Sequence, residues 1–404
     1  MEITIVNAYG RTNRGDSVLL DECIHELKCK YPEANISVVL FDDEGFDIVH
    51  PDIMYNERIC NTSSNHKRFN IYFYKVYSFL ILVLSALFKI RILSNLLSRE
   101  QKITFERILD SDLVISAPGG YLHDTNFALY VALMHLHIAN VFNIKTILAP
   151  QSYGPIKSFF GRSIFKYILN KCYAICAREG YSYTFLLNAG VKESLIFKTG
   201  DSAFWNFNLD HSECKYIFER HGVHVGEKFL GMTCVDWTYP HQLNPIDKRR
   251  IYINNMVEII NRIHDNFGMR TLIFNQVKDD LNISEEIAKS VPNKVVHIKE
   301  DYEPEILRSL ISFSHVFLAT RFHSCIFSLM SDVPTTAIAY LPKTDYILKD
   351  LGIYDKGFDI NDMPVDSIYE SLSFDITNNK EARETVRFSV EKYRRNMNRL
   401  MDII

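Results

Sequence analysis

The sequence is poor in the features that mark non-globular and specialised classes. Its 404 residues include 12 prolines and 16 glycines, too few for a collagenous or mainly disordered chain. There is no surplus of positive charge: 45 Lys and Arg stand against 49 Asp and Glu, a net charge of −4. That argues against a nucleic-acid partner and leaves individual anion sites open. No CxxC occurs, and eight cysteines at 23, 29, 60, 172, 176, 214, 234 and 325 make no disulfide framework. Cys172 and Cys176 would share one face of a helix, but no nearby His or second Cys pair completes a metal site. They read as buried thiols. No metal is therefore expected, and neither a repeat nor a low-complexity block is present. The opening Met1-Glu2-Ile3-Thr4-Ile5-Val6 reads as a strand and lacks a basic segment leading into an apolar one. A reducing cytoplasm is the expected compartment.

Long apolar runs are also missing. Val76 to Phe88, VYSFLILVLSALF, carries no charge but is shorter than the roughly 20 residues a spanning helix needs. Two readings stay open for it. It is either a buried helix of the first domain or an interfacial helix whose basic flanks, Lys67, Arg68, Lys75, Lys89 and Arg91, meet anionic lipid.

What is there fits two globular domains, with 47% apolar residues to fill two cores. Buried strands are predicted at Ile3 to Ala8, Ile36 to Phe41, Leu113 to Ala117 and Thr146 to Ala149, with helix-compatible segments between them. The helix after Glu179 is predicted to stop at Gly190. After a polar stretch from Trp205 to Cys214, strands resume at 229–233, Thr271 to Phe274, Val295 to Ile298, Val316 to Ala319 and Thr335 to Ala339. This alternation predicts an α/β protein of two Rossmann-like domains facing a cleft, divided into 1–205 and 206–404. Lys380 to Ile404 reads as one charged amphipathic helix.

Polar motifs stand at the ends of these strands, where open parallel sheets bind ligands. In Thr320-Arg321-Phe322-His323-Ser324, a strand gives way to a helix. Arg321 offers a fork for a phosphate or carboxylate, and His323 can hold an anion or move a proton. The alternative is that Arg321 pairs with an acid while His323 caps or packs. Asn13-Arg14-Gly15-Asp16 follows the first strand, and Asp16 is placed either to deprotonate a hydroxyl or to cap a helix. In Pro118-Gly119-Gly120-Tyr121-Leu122-His123-Asp124, the glycines admit a ligand while His123 and Asp124 can bind sugar hydroxyls. A tight turn followed by a cap explains them equally. Arg178 and Lys343 are two further cations, each placed either to reach an anion or to serve as a structural partner or solvated loop residue.

Taken in order, NRGD at 13–16, PGGYLHD at 118–124, QSYGP at 151–155, AREGYS at 177–182, DSAF at 201–204, TRFHSCIF at 320–327 and AYLPK at 339–343 resemble the polysaccharide pyruvyl transferase family. Pro118 and Glu179 depart from the glycine and aspartate common there. The resemblance implies a fold similar to GT-B glycosyltransferases. It also implies a reaction in which phosphoenolpyruvate, as co-substrate and with no bound cofactor, gives a pyruvate ketal to two hydroxyls of a sugar or lipid-linked oligosaccharide and releases phosphate. On this analogy the second domain holds the donor, and Arg321, Lys343, Arg178 and Ser324 are the candidate donor ligands. The first domain holds the acceptor near Asn13, Gly15, Gly119, Gly120, His123 and Asp124, and His323 and Asp16 handle protons. A lipid-linked acceptor would bring the protein to the inner face of the cell membrane. Two rivals share the same motifs: a glycosyltransferase using a nucleotide sugar, and a noncatalytic glycan-assembly subunit.

Overall fold

A computed structural model describes residues 1–10, 14–41, 46–57, 77, 80–85, 88–124, 128–205, 209–224, 226–240, 242–300 and 302–404. Of residues 14–16, 57 and 121 only the backbone is described. The chain forms two compact units, 1–202 with 397–404, and 203–396. The division expected at 205 and 206 thus falls at 202 and 203, and the last eight residues belong to the first unit.

In the first unit, strands β1 (Glu2–Ala8), β2 (Asn35–Leu40), β3 (Met54–Glu57), β4 (Leu113–Ser116), β5 (Gly119–Leu122), β6 (Lys145–Tyr153), β7 (Ala174–Ala177) and β8 (Ile196–Lys198) make one sheet. Its order is β3-β2-β1-β4-β6-β7-β8, with β5 beside β6, and every pairing is parallel. Successive side chains of a strand leave on opposite faces. Ile3, Ile5, Ile115 and Ile147 accordingly enter one buried cluster, while Val6, Val114 and Leu148 enter another. Both faces are covered, as a parallel sheet requires. Helices α1 (Arg14–Lys30), α2 (Arg99–Leu109), α3 (Ala128–Val141), α4 (Phe159–Leu169) and α5 (Gly180–Asn188) lie between the strands in sequence. Gly190, just beyond the end of α5, has φ +81°, a left-handed conformation that suits glycine.

The second unit repeats the scheme. Strands β9 (Phe229–Met232), β10 (Arg270–Phe274), β11 (Val295–Ile298), β12 (Val316–Ala319), β13 (Thr335–Ala339) and β14 (Gly357–Asp359) are ordered β11-β10-β9-β12-β13-β14, again all parallel. Its helices are α6 (Cys214–Arg220), α7 (Pro245–Phe267), α8 (Leu281–Ser290), α9 (Pro304–Ser312), α10 (Phe322–Met330), α11 (Pro342–Leu351), α12 (Val365–Thr377) and α13 (Asn379–Asn396).

Three expectations are corrected. Cys176 lies on β7, with Cys172 in the turn before it, so the two share no helix face; both are buried. Gly119 and Gly120 open strand β5 rather than a tight turn. The C-terminal segment is two helices: α13 ends at Asn396, and a short helix, Leu400–Ile403, buries Leu400 in the first unit's core. Arg399 Nη2 donates to Glu26 Oε1 at 2.8 Å beside it. Of Val76 to Phe88, residues 76, 78, 79, 86 and 87 lie outside the described residues, and 77, 80–85 and 88 are helical. Ile81, Leu82 and Ser85 are buried, whereas Leu80, Leu84 and Phe88, spaced by one turn each, are exposed. Among the described residues no helix is long and apolar enough to cross a membrane.

Leu400→Ala removes a buried side chain that ties the chain's end to the first unit. It should cost about 2–4 kcal/mol, read as a lower urea midpoint for that unit with the m-value unchanged.

Candidate functional site

In the second unit, β9 connects to β10 on one side while β12 lies on its other side, so the strand order reverses between β9 and β12. Such a switch point is where open α/β sheets bind ligands. Hydroxyl side chains stitch it shut. Thr320 Oγ1 donates to Thr233 O at 2.7 Å, and the Thr233 and Ser324 hydroxyls lie 2.8 Å apart. Ser324 Oγ donates to Arg321 O at 2.7 Å, and Ser324 N–H donates to Gln276 Oε1 at 3.1 Å. Ser324, expected at the donor, is thus occupied at both its N–H and its hydroxyl in shaping the strand-to-helix turn.

Arg321 is the residue before α10, and its own side chain makes no cap bond; Gln276 Oε1 takes the Ser324 N–H of the first turn instead. Its guanidinium meets Asp280 in a bidentate pair, Nε to Oδ2 at 2.7 Å and Nη2 to Oδ1 at 2.6 Å. Nη1 donates to Tyr340 Oη at 3.3 Å. Burial works most strongly against the guanidinium's charge, but Asp280 and Tyr340 together outweigh it and hold the pKa above its ordinary value. Of the two readings open for Arg321, the acid partner is present. Asp280, with the carboxylate 1% exposed, also accepts from Asp236 N–H at 3.0 Å, and Asp236 is itself bidentate with Arg249. His323 is buried in the first turn of α10, its ring edge-on to Phe322 with centroids 5.2 Å apart. Lys343, in the first turn of α11, sets its Nζ 4.8 Å from the centre of the Phe322 ring. Two helices, α10 and α11, therefore begin at the carboxyl ends of neighbouring strands, and neither is capped by the side chain of its own N-cap residue. Their starts carry partial positive charge suited to an anion.

The first unit has its own switch point, between β1 and β4. Asn7, at φ 66°, donates from Nδ2 to Ser116 Oγ at 3.1 Å, and its Oδ1 lies 2.7 Å from His135 Nδ1. An amide oxygen only accepts, so His135 carries its proton on Nδ1. Gln151 Nε2 donates to Ser116 Oγ and to Ala117 O. Alongside, three motifs converge. Arg178, 2% exposed, donates from Nη2 to Ser152 Oγ at 2.6 Å and faces Glu179 Oε2 and Asp201 Oδ2, each at 3.4 Å. Ser182 Oγ donates to Glu179 Oε1 and accepts from Tyr153 N–H. Arg178, expected among the donor ligands, belongs to the first unit and is enclosed by two carboxylates.

Asp124 accepts from the N–H groups of Ser158 at 3.0 Å and Lys157 at 2.6 Å, and these bonds hold its carboxyl below the ordinary range. It thus secures the entry to α4. Burial pushes the His123 imidazole down, with Asp124 opposing. Gly119 has φ 145°, a conformation glycine tolerates, and a Cβ on Gly120 would meet only Ser152 Cβ, at 3.7 Å. Asn13 and the side chain of Asp16 lie outside the described residues, and Gly15 is in the first turn of α1. Among the described residues no group of three His, Cys, Asp or Glu is placed to hold a metal.

A family model described as "Polysaccharide pyruvyl transferase" matches residues 13–342. The chain belongs to that family. This makes the protein a transferase of polysaccharide biosynthesis. Over 415 positions it is 22% identical to the amylovoran biosynthesis protein AmsJ of Erwinia amylovora, covering 98% of this chain and 96% of that one. Among solved structures, a glycosyltransferase from Rickettsia africae superposes with a TM-score of 0.63 at 13% identity, covering 100% of this chain and 95% of that one. Anabaena Alr3699/HepE in complex with UDP and glucose gives 0.60 at 12%, covering 100% and 97%. The UDP-GlcNAc 2-epimerase of Methanocaldococcus jannaschii gives 0.57 at 13%, covering 96% and 99%. At these identities the likeness concerns the fold, which is of the GT-B class.

In this pyruvyl transferase family member, sequence reasoning missed the partners rather than the motifs. Asp280, Gln276, Thr233, Asn7 and His135 lie outside the quoted motifs. The local signal was their position: Asn7 and Thr233 stand at or just beyond a strand's carboxyl end, and His135 is one of two histidines on the largely apolar helix α3.

Asp280→Asn leaves the Arg321 guanidinium with a neutral partner in a largely buried place. The expected loss is about 3 kcal/mol or more, measured by chemical denaturation. Asp236→Asn at the half-exposed pair beside it should cost clearly less.

Proposed function

We propose that the protein transfers the enolpyruvyl group of phosphoenolpyruvate to two hydroxyls of one sugar, in a polysaccharide or its lipid-linked precursor, forming a cyclic pyruvate ketal and releasing phosphate. The observation that carries this reading is the TRFHS segment, which the family match includes and which begins α10 at the switch point of the second sheet. The donor carries a phosphate and a carboxylate. Lys343 and the starts of α10 and α11 supply positive potential for them, while Arg321, held by Asp280, keeps Nη1 beside Tyr340.

The proton balance assigns the remaining roles. His323 protonates the methylene carbon, and the cation left at the adjacent carbon takes the first hydroxyl oxygen, whose proton passes to a base, a role this reading gives to Asp16. The carbon–oxygen bond to phosphate then breaks and phosphate leaves with the electron pair. The second hydroxyl adds to the same carbon and gives up its proton. One hydroxyl proton is balanced by the new methyl group and the other by phosphate; nothing is oxidised or reduced. Asn13, Gly15, Gly119, Gly120 and His123 form the acceptor side of this reading, with Asp124 holding the adjoining loop.

The test is acceptor-dependent phosphate release from phosphoenolpyruvate, paired with calorimetric donor binding. His323→Gln should lower turnover roughly 100-fold or more while donor affinity changes little, as expected for loss of a general acid. Arg321→Lys should weaken donor binding instead. Near-normal turnover in a folded His323→Gln protein removes His323 from the mechanism. Protection from unfolding by a nucleotide sugar, and none by phosphoenolpyruvate, sinks the reaction in favour of glycosyl transfer.

A lipid-linked acceptor is supported by the outward stripe of Leu80, Leu84 and Phe88, continued by exposed Ile90, Ile92 and Leu96 near Lys89 and Arg91. The protein should co-sediment with anionic vesicles at low salt and release at high salt. Equal sedimentation with neutral vesicles counts against the electrostatic part.

A further inference from the structure

The second unit has a cleft of 620 Å³ at the opposite end of its sheet from the TRFHS segment. Pro334 and Thr335, where β13 begins, form part of its wall, and the rest comes from residues 353–358 leading into β14, from α12 and from the first turns of α13. Four carboxylates line it, Asp355, Glu370, Asp375 and Glu381, against one ammonium, Lys356. Three of the acids are exposed. Asp375 is 2% exposed. Lys356 Nζ donates to Asp375 Oδ1 at 2.8 Å, and Asp375 Oδ2 has no hydrogen-bond partner among the described residues. Burial pushes this carboxyl above its ordinary range, with Lys356 opposing. A buried acceptor without a donor calls for an explanation.

Lys356 shows what the cleft accommodates. Its ammonium lies between the Asp375 carboxylate, the Ser371 hydroxyl at 3.4 Å and the Phe374 ring, whose centre is 5.7 Å away. Phe374 is 60% exposed, and Ile353, Phe358 and Val386 add apolar wall. An inorganic cation would leave those walls unused, because hard cations draw on oxygen ligands alone. An organic ion matches both features: its ammonium groups meet the acids, and its carbon chain covers the apolar side.

We infer that this cleft binds a small organic polyammonium ion, with one ammonium beside Lys356 at the Asp375 carboxylate and another facing the acids at the rim. The inference is independent of the proposed reaction, since it concerns binding at the other end of the sheet. The test is calorimetry and thermal melting of the full chain with spermidine and putrescine, against 1,4-butanediol and magnesium chloride at matched ionic strength. Spermidine should bind more tightly than putrescine and raise the melting temperature, while the diol does neither. Asp375→Asn should weaken spermidine binding about tenfold or more. If that variant does not fold, the rim pair Glu370→Gln/Glu381→Gln carries the same test, since both side chains are exposed. Binding of the diol equal to that of the diamine overturns the inference. So does magnesium matching spermidine, or undiminished spermidine binding in the rim variant.

Discussion

A parallel sheet survives only with both faces covered, and that requirement organises each unit. Ile3 and Ile5 on one side of β1 and Val6 on the other enter separate buried clusters, so neither face of that sheet is left for chemistry. What remains accessible is the row of strand ends. At the carboxyl ends of strands such as β12 and β13 the chain passes through a short turn into a helix, so polar side chains and helix starts collect there. The TRFHS segment occupies such a place for reasons of topology before any reason of chemistry.

Charges brought to these ends are matched before a ligand arrives. Arg321 is forked onto Asp280, Asp236 onto Arg249, and Arg178 sits between Glu179 and Asp201. An isolated buried charge is expensive, and pairing with hydrogen bonds is the usual remedy. The consequence for function is a division of labour. Buried arginines hold the turns in position, and in the proposed reaction Lys343, the helix starts and the Nη1 of Arg321 would supply the field that the anionic donor meets. The hydroxyl network of Thr233, Thr320 and Ser324 fixes the turn between β12 and α10 in the same way.

The helical residues 80–85 and 88 show how one apolar segment serves two environments. Ile81 and Leu82 face the core, while Leu80, Leu84 and Phe88 face outward. A helix apolar all round is suited either to deep burial or to contact with a second apolar phase. The end of the chain obeys a related logic: α13 packs in the second unit, and Leu400 returns to the core of the first.

Strand and helix alternation was legible in the sequence because periodicity is a local property. The strands at 295–298, 316–319 and 335–339 stand where their apolar runs are, and the helix after Glu179 ends before Gly190. The motifs that border the strand ends were legible for the same reason, and they carried the family. Partner choice was not. Asp280 lies 41 residues from Arg321 and His135 lies 128 from Asn7, and no spacing rule spans such distances. Gly119 and Gly120 read locally as a turn, yet β6 was there to pair with them as a strand. The sequence by itself determined the central strands, their parallel arrangement and the residues at their ends, whereas β3, β5, β8, β14 and the break in the C-terminal helix came from the fold. Only the tertiary structure decided which of those residues are neutralised by a buried partner, because burial and pairing depend on segments brought together across the fold.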